Sequence, residues 1–163
     1  MDICKLTSAS IDDILTLQDK SYKLGDKFLP SSREVYERAF QFRNFVFGIY
    51  TETNELLAFC NCSIPTHRAQ RNLGRGIIDD SELDFVGHVN TIIVKQEYRR
   101  QGIGKEILRS VIQEFKKAQI KYLFVMISPE NNASLSLFQS SKFRSIQQIK
   151  YAGENRHILR LDI

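Results

Sequence analysis

The chain has 163 residues, with 23 Lys and Arg against 19 Asp and Glu, a formal net charge of +4 and an apolar share of 42%. That length and composition support one buried core and exclude a disordered or low-complexity chain. The mild excess of cations lacks the dense Lys/Arg blocks of a dedicated nucleic-acid binder and fits better a soluble protein that handles an anionic ligand. Cys4, Cys60 and Cys62 have no metal-ligand spacing, so no metal is expected; they read as small buried hydrophobes in a reducing compartment. Met1-Asp2-Ile3-Cys4 is not the start of a signal peptide, and no apolar run reaches the ~18 residues of a membrane span. The expected location is cytoplasmic, with no membrane contact.

In chain order, Met1 to Leu6 reads as a short strand. Ser10 then caps a helix to about Tyr22, with Asp12 and Asp13 in its first turn. Ser31-x-x-Glu34 reads as a capping box opening a second helix, with Val35, Tyr36, Ala39, Phe40 and Phe42 on its apolar side. Phe45–Tyr50 and Glu55–Ile64 are apolar runs around Glu52-Thr53-Asn54, a hairpin. The stretch Thr66 to Asp80 carries His67, Arg68, Arg71 and Arg75 and reads as a long hairpin tip suited to an acidic acceptor or protein surface. Leu83 to Val94 is the next strand.

A third helix follows from Ile103 to about Ala118, with Ile103, Ile107, Leu108, Val111, Ile112 and Phe115 at helical spacing. Tyr122 to Ile127 is a continuous apolar run, as expected of a strand covered on both faces. Asn131 to Ser141 reads as a short helix, and Phe143–Tyr151 with His157–Ile163 as a closing hairpin around Gly153-Glu154-Asn155.

The stretch that organises these elements is Arg99-Arg100-Gln101-Gly102-Ile103-Gly104-Lys105, between the strand ending at Val94 and the third helix. A glycine turn leaves backbone N–H groups unobstructed, and the helix N-terminus behind it carries about half a positive charge. That combination is an anion site suited to a pyrophosphate. A second segment reads Asn131-x-x-Ser134-x-x-Leu137-Phe138, then Lys142-Phe143.

These two motifs, in this order of elements, resemble the GNAT superfamily of acetyl-CoA-dependent N-acetyltransferases. The superfamily's signatures are Gln/Arg-x-x-Gly-x-Gly/Ala and Asn-x-x-Ala/Ser-x-x-Leu-Tyr followed by Gly-Phe. The resemblance spans essentially the whole chain, read as one domain. It implies an α/β (α+β) fold with a mixed, mostly antiparallel sheet of about seven strands and about four helices. It implies acetyl-CoA as cosubstrate and direct transfer to a primary amine in a ternary complex. On this resemblance Ile92, Ile93 and Val94 pair with the pantetheine amides, and a backbone N–H of their strand holds the thioester carbonyl. The N–H groups of Arg99 to Lys105, including Arg100, Gln101, Gly102, Ile103 and Gly104, hold the pyrophosphate. Asn131 contacts the pantetheine arm, and Ser134 permits its close approach.

Two positions depart from the pattern. Phe138 replaces the tyrosine taken to protonate the leaving thiolate, worth roughly 10²–10⁴-fold where such help operates. Lys142 replaces the glycine, read as a helix exit without a left-handed cap.

The family often draws its general base from a carboxylate on or near the fourth strand. The candidates are Glu82, Asp84 and His88. By simple alternation His88 shares a face with Asn90, Ile92 and Val94, unless a bulge breaks the parity. Two other readings stand beside the enzyme: an acyl-CoA-binding sensor or scaffold on the same fold, and an RNA-associated module using the arginines, ranked last. The acceptor is not readable, and a strand-edge homodimer is a further option within the family.

Overall fold

The computed structural model describes residues 2–69 and 71–163. Strands are β1 (Ile3–Lys5), β2 (Phe45–Tyr50), β3 (Leu56–Ser63), β4 (Val86–Val94), β5 (Tyr122–Ile127), β6 (Arg144–Tyr151) and β7 (Glu154–Asp162). Helices are α1 (Ile11–Lys23), α2 (Arg33–Ala39), α3 (Ile103–Lys117) and α4 (Asn132–Ser140). The seven strands form one sheet in the order β1-β2-β3-β4-β5-β7-β6. Only the central β4–β5 pair is parallel, as a strand–helix–strand crossover through α3 requires. The fold is thus the mixed, mostly antiparallel sheet that the motifs imply.

Alternation along the strands divides the core between two faces. On one face α3 lays Ile107, Leu108, Val111 and Phe115, all inaccessible, against Phe45, Cys60, Cys62 and Leu123. On the other, Ile11, Ile14 and Leu17 of α1 and Tyr36 of α2 cover Val46, Phe59 and Ile93. Beside them Leu73, Ile77 and Ile78 pack on Val86, Phe124 and Ile158. The stretch read as a polar hairpin tip therefore lies folded over the sheet, held by its own apolar residues. A 3₁₀ helix, Asp80–Phe85, replaces the expected start of β4, and the Asp79 carboxylate caps it by accepting from the Ser81 N–H at 2.9 Å.

Other local expectations change for identifiable reasons. The Ser31–Glu34 capping box does not form. Instead the Gln18 side chain brackets the Ser31 backbone, accepting from its N–H and donating to its carbonyl, both at 2.9 Å, and α2 starts behind Ser32. Tyr36 and Ala39 are buried as expected, whereas Phe42 lies past the helix end at φ 57° and is 99% exposed. Cys4 is exposed, while Cys60 and Cys62 are buried side by side with sulfurs 3.7 Å apart. Lys142 does take up the left-handed conformation usual for glycine, at φ 71°, and the Phe143 N–H donates back to the Phe138 carbonyl at 3.0 Å. The left-handed helix exit is thus made with a lysine.

Candidate active site

β4 and β5 are paired only at Val86–Tyr122, Gly87–Leu123 and His88–Phe124. Beyond His88 the two strands part, while β4 stays paired to β3 as far as Val94. The register with β3 steps from Asn61–Thr91 to Cys62–Val89, which leaves Asn90 as the extra residue of a bulge. The bulge resets the parity. Val89 packs against the α3 side, and so do Ile92 and Val94, whereas Ile93 packs against α1 and α2. His88, one residue from Val89, lies on the face opposite Ile92 and Val94, so simple alternation fails for this strand.

The parted strands open a cleft of about 780 Å³. Its walls are β4 from Val89 to Val94, the ends of β5 and α4, the turn before α3, and the α1–α2 loop at Asp26 to Leu29. Ile92, Ile93, Val94, Arg99, Arg100, Gly102, Ile103, Gly104, Lys105, Asn131, Ser134 and Phe138 all line it. Gln101 does not; its amide donates to the Glu97 carbonyl at 3.2 Å.

The turn before α3 leaves backbone donors free. Arg100 and Gly102 take left-handed conformations, φ 65° and 84°, which turn the chain sharply into the helix. The N–H groups of Lys105 and Glu106 return to the Gly102 carbonyl, both at 3.0 Å. Those of Gln101, Gly102, Ile103 and Gly104 have no acceptor among the described residues. These orphan donors sit where the helix dipole is positive. A Cβ on Gly102 would meet nothing within 4 Å, so its glycine answers to conformation and to open space above the turn. A Cβ on Gly104 would make an ordinary 3.4 Å contact with Leu137.

Two polar side chains act differently from a free ligand contact. The Arg99 guanidinium donates to the Val94 carbonyl at 2.8 Å and grips the Asp26 carboxylate, with Nη1 to Oδ1 at 2.9 Å. Its charge is committed to fastening the α1–α2 loop across the cleft mouth. Asn131 caps α4, accepting from the Ser134 N–H at 3.0 Å, and donates to the Lys27 carbonyl at 2.9 Å. Phe138 is core: 1% exposed and edge-to-face with Phe143 at 5.0 Å.

None of the three candidate bases lines the cleft. His88 is buried, and its Nε2 accepts from the Leu73 N–H at 3.0 Å, which anchors the 66–80 stretch. Burial, with Arg71 adding repulsion, lowers its pKa to about 4, so it is neutral at physiological pH with its lone pair already engaged. The Glu82 carboxylate accepts from Lys121 Nζ at 2.8 Å and Tyr122 O–H at 2.5 Å, and these bonds hold its pKa below the usual range. Asp84 accepts from the His67 backbone N–H at 2.9 Å and meets the His67 ring, with the same lowering. Among the described residues lining the cleft the one carboxylate is Asp26, already held by Arg99.

The sequence reading missed Arg156. β7 begins at Glu154, three residues earlier than expected, so Arg156 is a strand residue whose side chain lines the cleft with 5% exposure. Its only side-chain hydrogen bond among the described residues goes from Nη2 to Glu154 Oε2 at 2.6 Å, and its Nε is buried with no acceptor. A lone arginine between the expected turn, Gly153-Glu154-Asn155, and the expected strand from His157 carries no sequence signal of this.

Among the described residues, no three His, Cys, Asp or Glu side chains are grouped to hold a metal, and no helix is long and apolar enough to cross a membrane. No curated protein sequence matches the chain. Solved structures do. A ribosomal-protein-alanine N-acetyltransferase from Brucella melitensis superposes with a TM-score of 0.77 at 16% identity, covering 100% of both chains. Arabidopsis thaliana NAA60 in complex with acetyl-CoA gives 0.77 at 14% identity, covering 99% of each. An N-acetyltransferase from Staphylococcus aureus gives 0.76 at 16%, covering 99% of this chain and 97% of its own. At these identities the likeness establishes the fold. The profile of the acetyltransferase (GNAT) family matches residues 11–143, and the chain belongs to that family.

Proposed function

We propose that the protein transfers an acetyl group from acetyl-CoA to a primary amine. The observation that carries this reading is the joining of two features in one cleft: a turn with orphan N–H donors at a helix N-terminus, and a strand edge, Val89 to Val94, left unpaired by the splaying of β4 from β5. The first suits a pyrophosphate and the second suits the amides of an extended arm, which would join the sheet as a strand does. Acetyl-CoA has both parts and supplies the activated acetyl group. Gly102, Ile103 and Gly104 would hold the pyrophosphate, with Lys105 adding charge; Ile92 to Val94 would hold the arm through backbone groups. Arg99 and Asn131 serve by closing the α1–α2 loop over the site.

The absence of a free base among the described cleft residues bears on the acceptor. With no side chain to take the proton, the amine must reach the site already neutral. An α-amino group, pKa about 7.7–8.0, is roughly a third neutral at pH 7.5, whereas a lysine side chain near 10.4 is neutral in roughly one molecule per thousand. We therefore read the acceptor as an α-amine, or another amine of low pKa, carried on a peptide or a small molecule. Phe138 donates no proton, but a thiol pKa of about 8.5 makes the thiolate a tolerable leaving group near neutrality.

The test is calorimetric titration of acetyl-CoA into the wild type and Gly104→Glu, followed by turnover with a panel of α-amines and ε-amines. Glutamate has room to be placed at 104 but puts a carboxylate among the orphan donors. The expected result is acetyl-CoA binding weakened at least a hundredfold by the substitution, and turnover faster with α-amines. Binding without turnover on any amine would favour an acyl-CoA-binding scaffold. No binding by folded wild type would refute both.

A further inference from the structure

We infer that Arg156 is a specificity-determining residue that receives a carboxylate of the acceptor, so that the preferred amines carry an acidic group close to the amine. The inference rests on the transfer reading above and names the acceptor's chemistry.

The position of Arg156 is set by β7. Arg156 shares a strand face with Ile158, which packs with Phe124 and Val86, while Leu159 points to the α3 side. Arg156 thus lies on the face opposite α3. The anion-binding turn belongs to the α3 N-terminus, so a donor seated there leaves the opposite face of the split sheet for the acceptor. On that face the cleft is walled by Phe28, Leu29, Ile93 and Met126, and among the described residues Arg156 is the one cation that β7 contributes to it.

Its chemistry is unfinished. A guanidinium has five N–H donors in a planar fork, and burying one with donors unpaired costs free energy. Here one donor is engaged, by Glu154, whose own side chain is 67% exposed and free to swing into solvent. The buried Nε has no acceptor among the described residues. A carboxylate is the ligand that completes such a fork, through two parallel bonds. Among the described residues lining the cleft the one carboxylate, Asp26, is neutralised by Arg99, so the competitor for an incoming acid is Glu154 on Arg156 itself.

The experiment uses the full chain saturated with CoA and a matched pair of product-like probes, N-acetyl-aspartyl amide and N-acetyl-asparaginyl amide, which differ by one carboxylate. The wild type should bind the acidic probe at least tenfold more tightly. Arg156→Gln should reduce that preference below twofold, Arg156→Lys should keep part of it, and acetyl-CoA affinity should be unchanged in both. Glu154→Gln, at an exposed position, should strengthen binding of the acidic probe severalfold by freeing the fork; this arm decides the matter if Arg156→Gln does not fold. Equal binding of the probes, no binding of either, a preference that survives Arg156→Gln, or an unchanged affinity in Glu154→Gln would overturn the inference. Loss of acetyl-CoA affinity in folded Arg156→Gln would also do so, by assigning Arg156 to the donor. Wild type that binds acetyl-CoA but does not discriminate fails this inference alone; wild type that binds no acetyl-CoA fails the transfer reading as well.

Discussion

The two halves of β4 are one strand with opposite fates. From Val86 to His88 it is paired to β5, with His88 paired to β3 as well, and all three residues are buried. From Val89 to Val94 it is paired only to β3, and its free edge lines the cleft. The closed half needs a filled, fixed interior; the open half needs a shape held apart by contacts other than strand pairing. Chemistry-bearing residues therefore have different meanings in the two halves. A histidine in the closed half is a structural acceptor, while plain aliphatic residues in the open half present the backbone that a ligand can use.

That difference is tested most strongly at His88. Its folded pKa, about 4, lies below the ordinary 6.5, so the unfolded chain takes up a proton first as pH falls. Stability is fully present above pH 6.5 and is lost progressively down to pH 4, by about 3 kcal/mol from this group. Thermal melts of the wild type across pH 7 to 4 should show this loss, and His88→Gln, although less stable at pH 7, should show a flatter profile. A parallel profile would mean that other groups carry the acid sensitivity. If instead His88 were the base, its substitution would abolish turnover while leaving the pH profile of stability alone.

The second comparison sets one glycine against another. A Cβ at Gly87, in the closed half, would lie 2.5 Å from Phe115 Cε1 and 2.9 Å from Leu123 Cδ2, both in the core. At Gly104, facing the open half, the nearest contact is 3.4 Å. Gly87→Ala is expected to cost about 2 kcal/mol by overpacking, and Gly104→Ala to be near neutral or slightly stabilising within its helix. Urea denaturation of the two variants measures this directly. Equal costs would show that the turn before α3 is as tightly packed as the sheet centre.

Much of this was legible in the sequence, and the limits have physical causes. The glycine turn and the order of elements are local signals: φ-permissive residues at a strand–helix junction, and apolar spacing. The bulge at Asn90 has no such signal, and it inverted the face assigned to His88. The 66–80 stretch was read through its arginines, while Leu73, Ile77 and Ile78, which fix it over the sheet, are scattered without periodicity. Glu82 and Asp84 looked available because a sequence shows charge without partners; Lys121, Tyr122 and His67 are brought to them by the fold. Arg99 was credited to the ligand because its partner, Asp26, is 73 residues away. Arg156 was invisible for the converse reason, a charge buried by pairing with Ile149 across the closing hairpin.

The smallest expected effect concerns what holds the open half in place. With no β5 partner there, the cleft mouth is bridged by the α1–α2 loop, through Arg99 to Asp26, Asn131 to the Lys27 carbonyl, and the Lys27–Glu130 ion pair at 3.5 Å. Arg99 also holds the last carbonyl of β4, so it joins strand and loop in one side chain. The pair is partly buried, and a double-mutant cycle with Arg99→Ala and Asp26→Ala should give a coupling of about 1 kcal/mol in stability. The sharper readout is acetyl-CoA affinity. Arg99 spends its donors on protein groups, so Asp26→Ala should weaken acetyl-CoA binding severalfold, nearly as much as Arg99→Ala, and the double variant should be little worse than either. If Arg99 instead serves the pyrophosphate directly, Asp26→Ala frees a cation for the ligand and affinity rises. The sign of that one change separates a bridging arginine from a binding one.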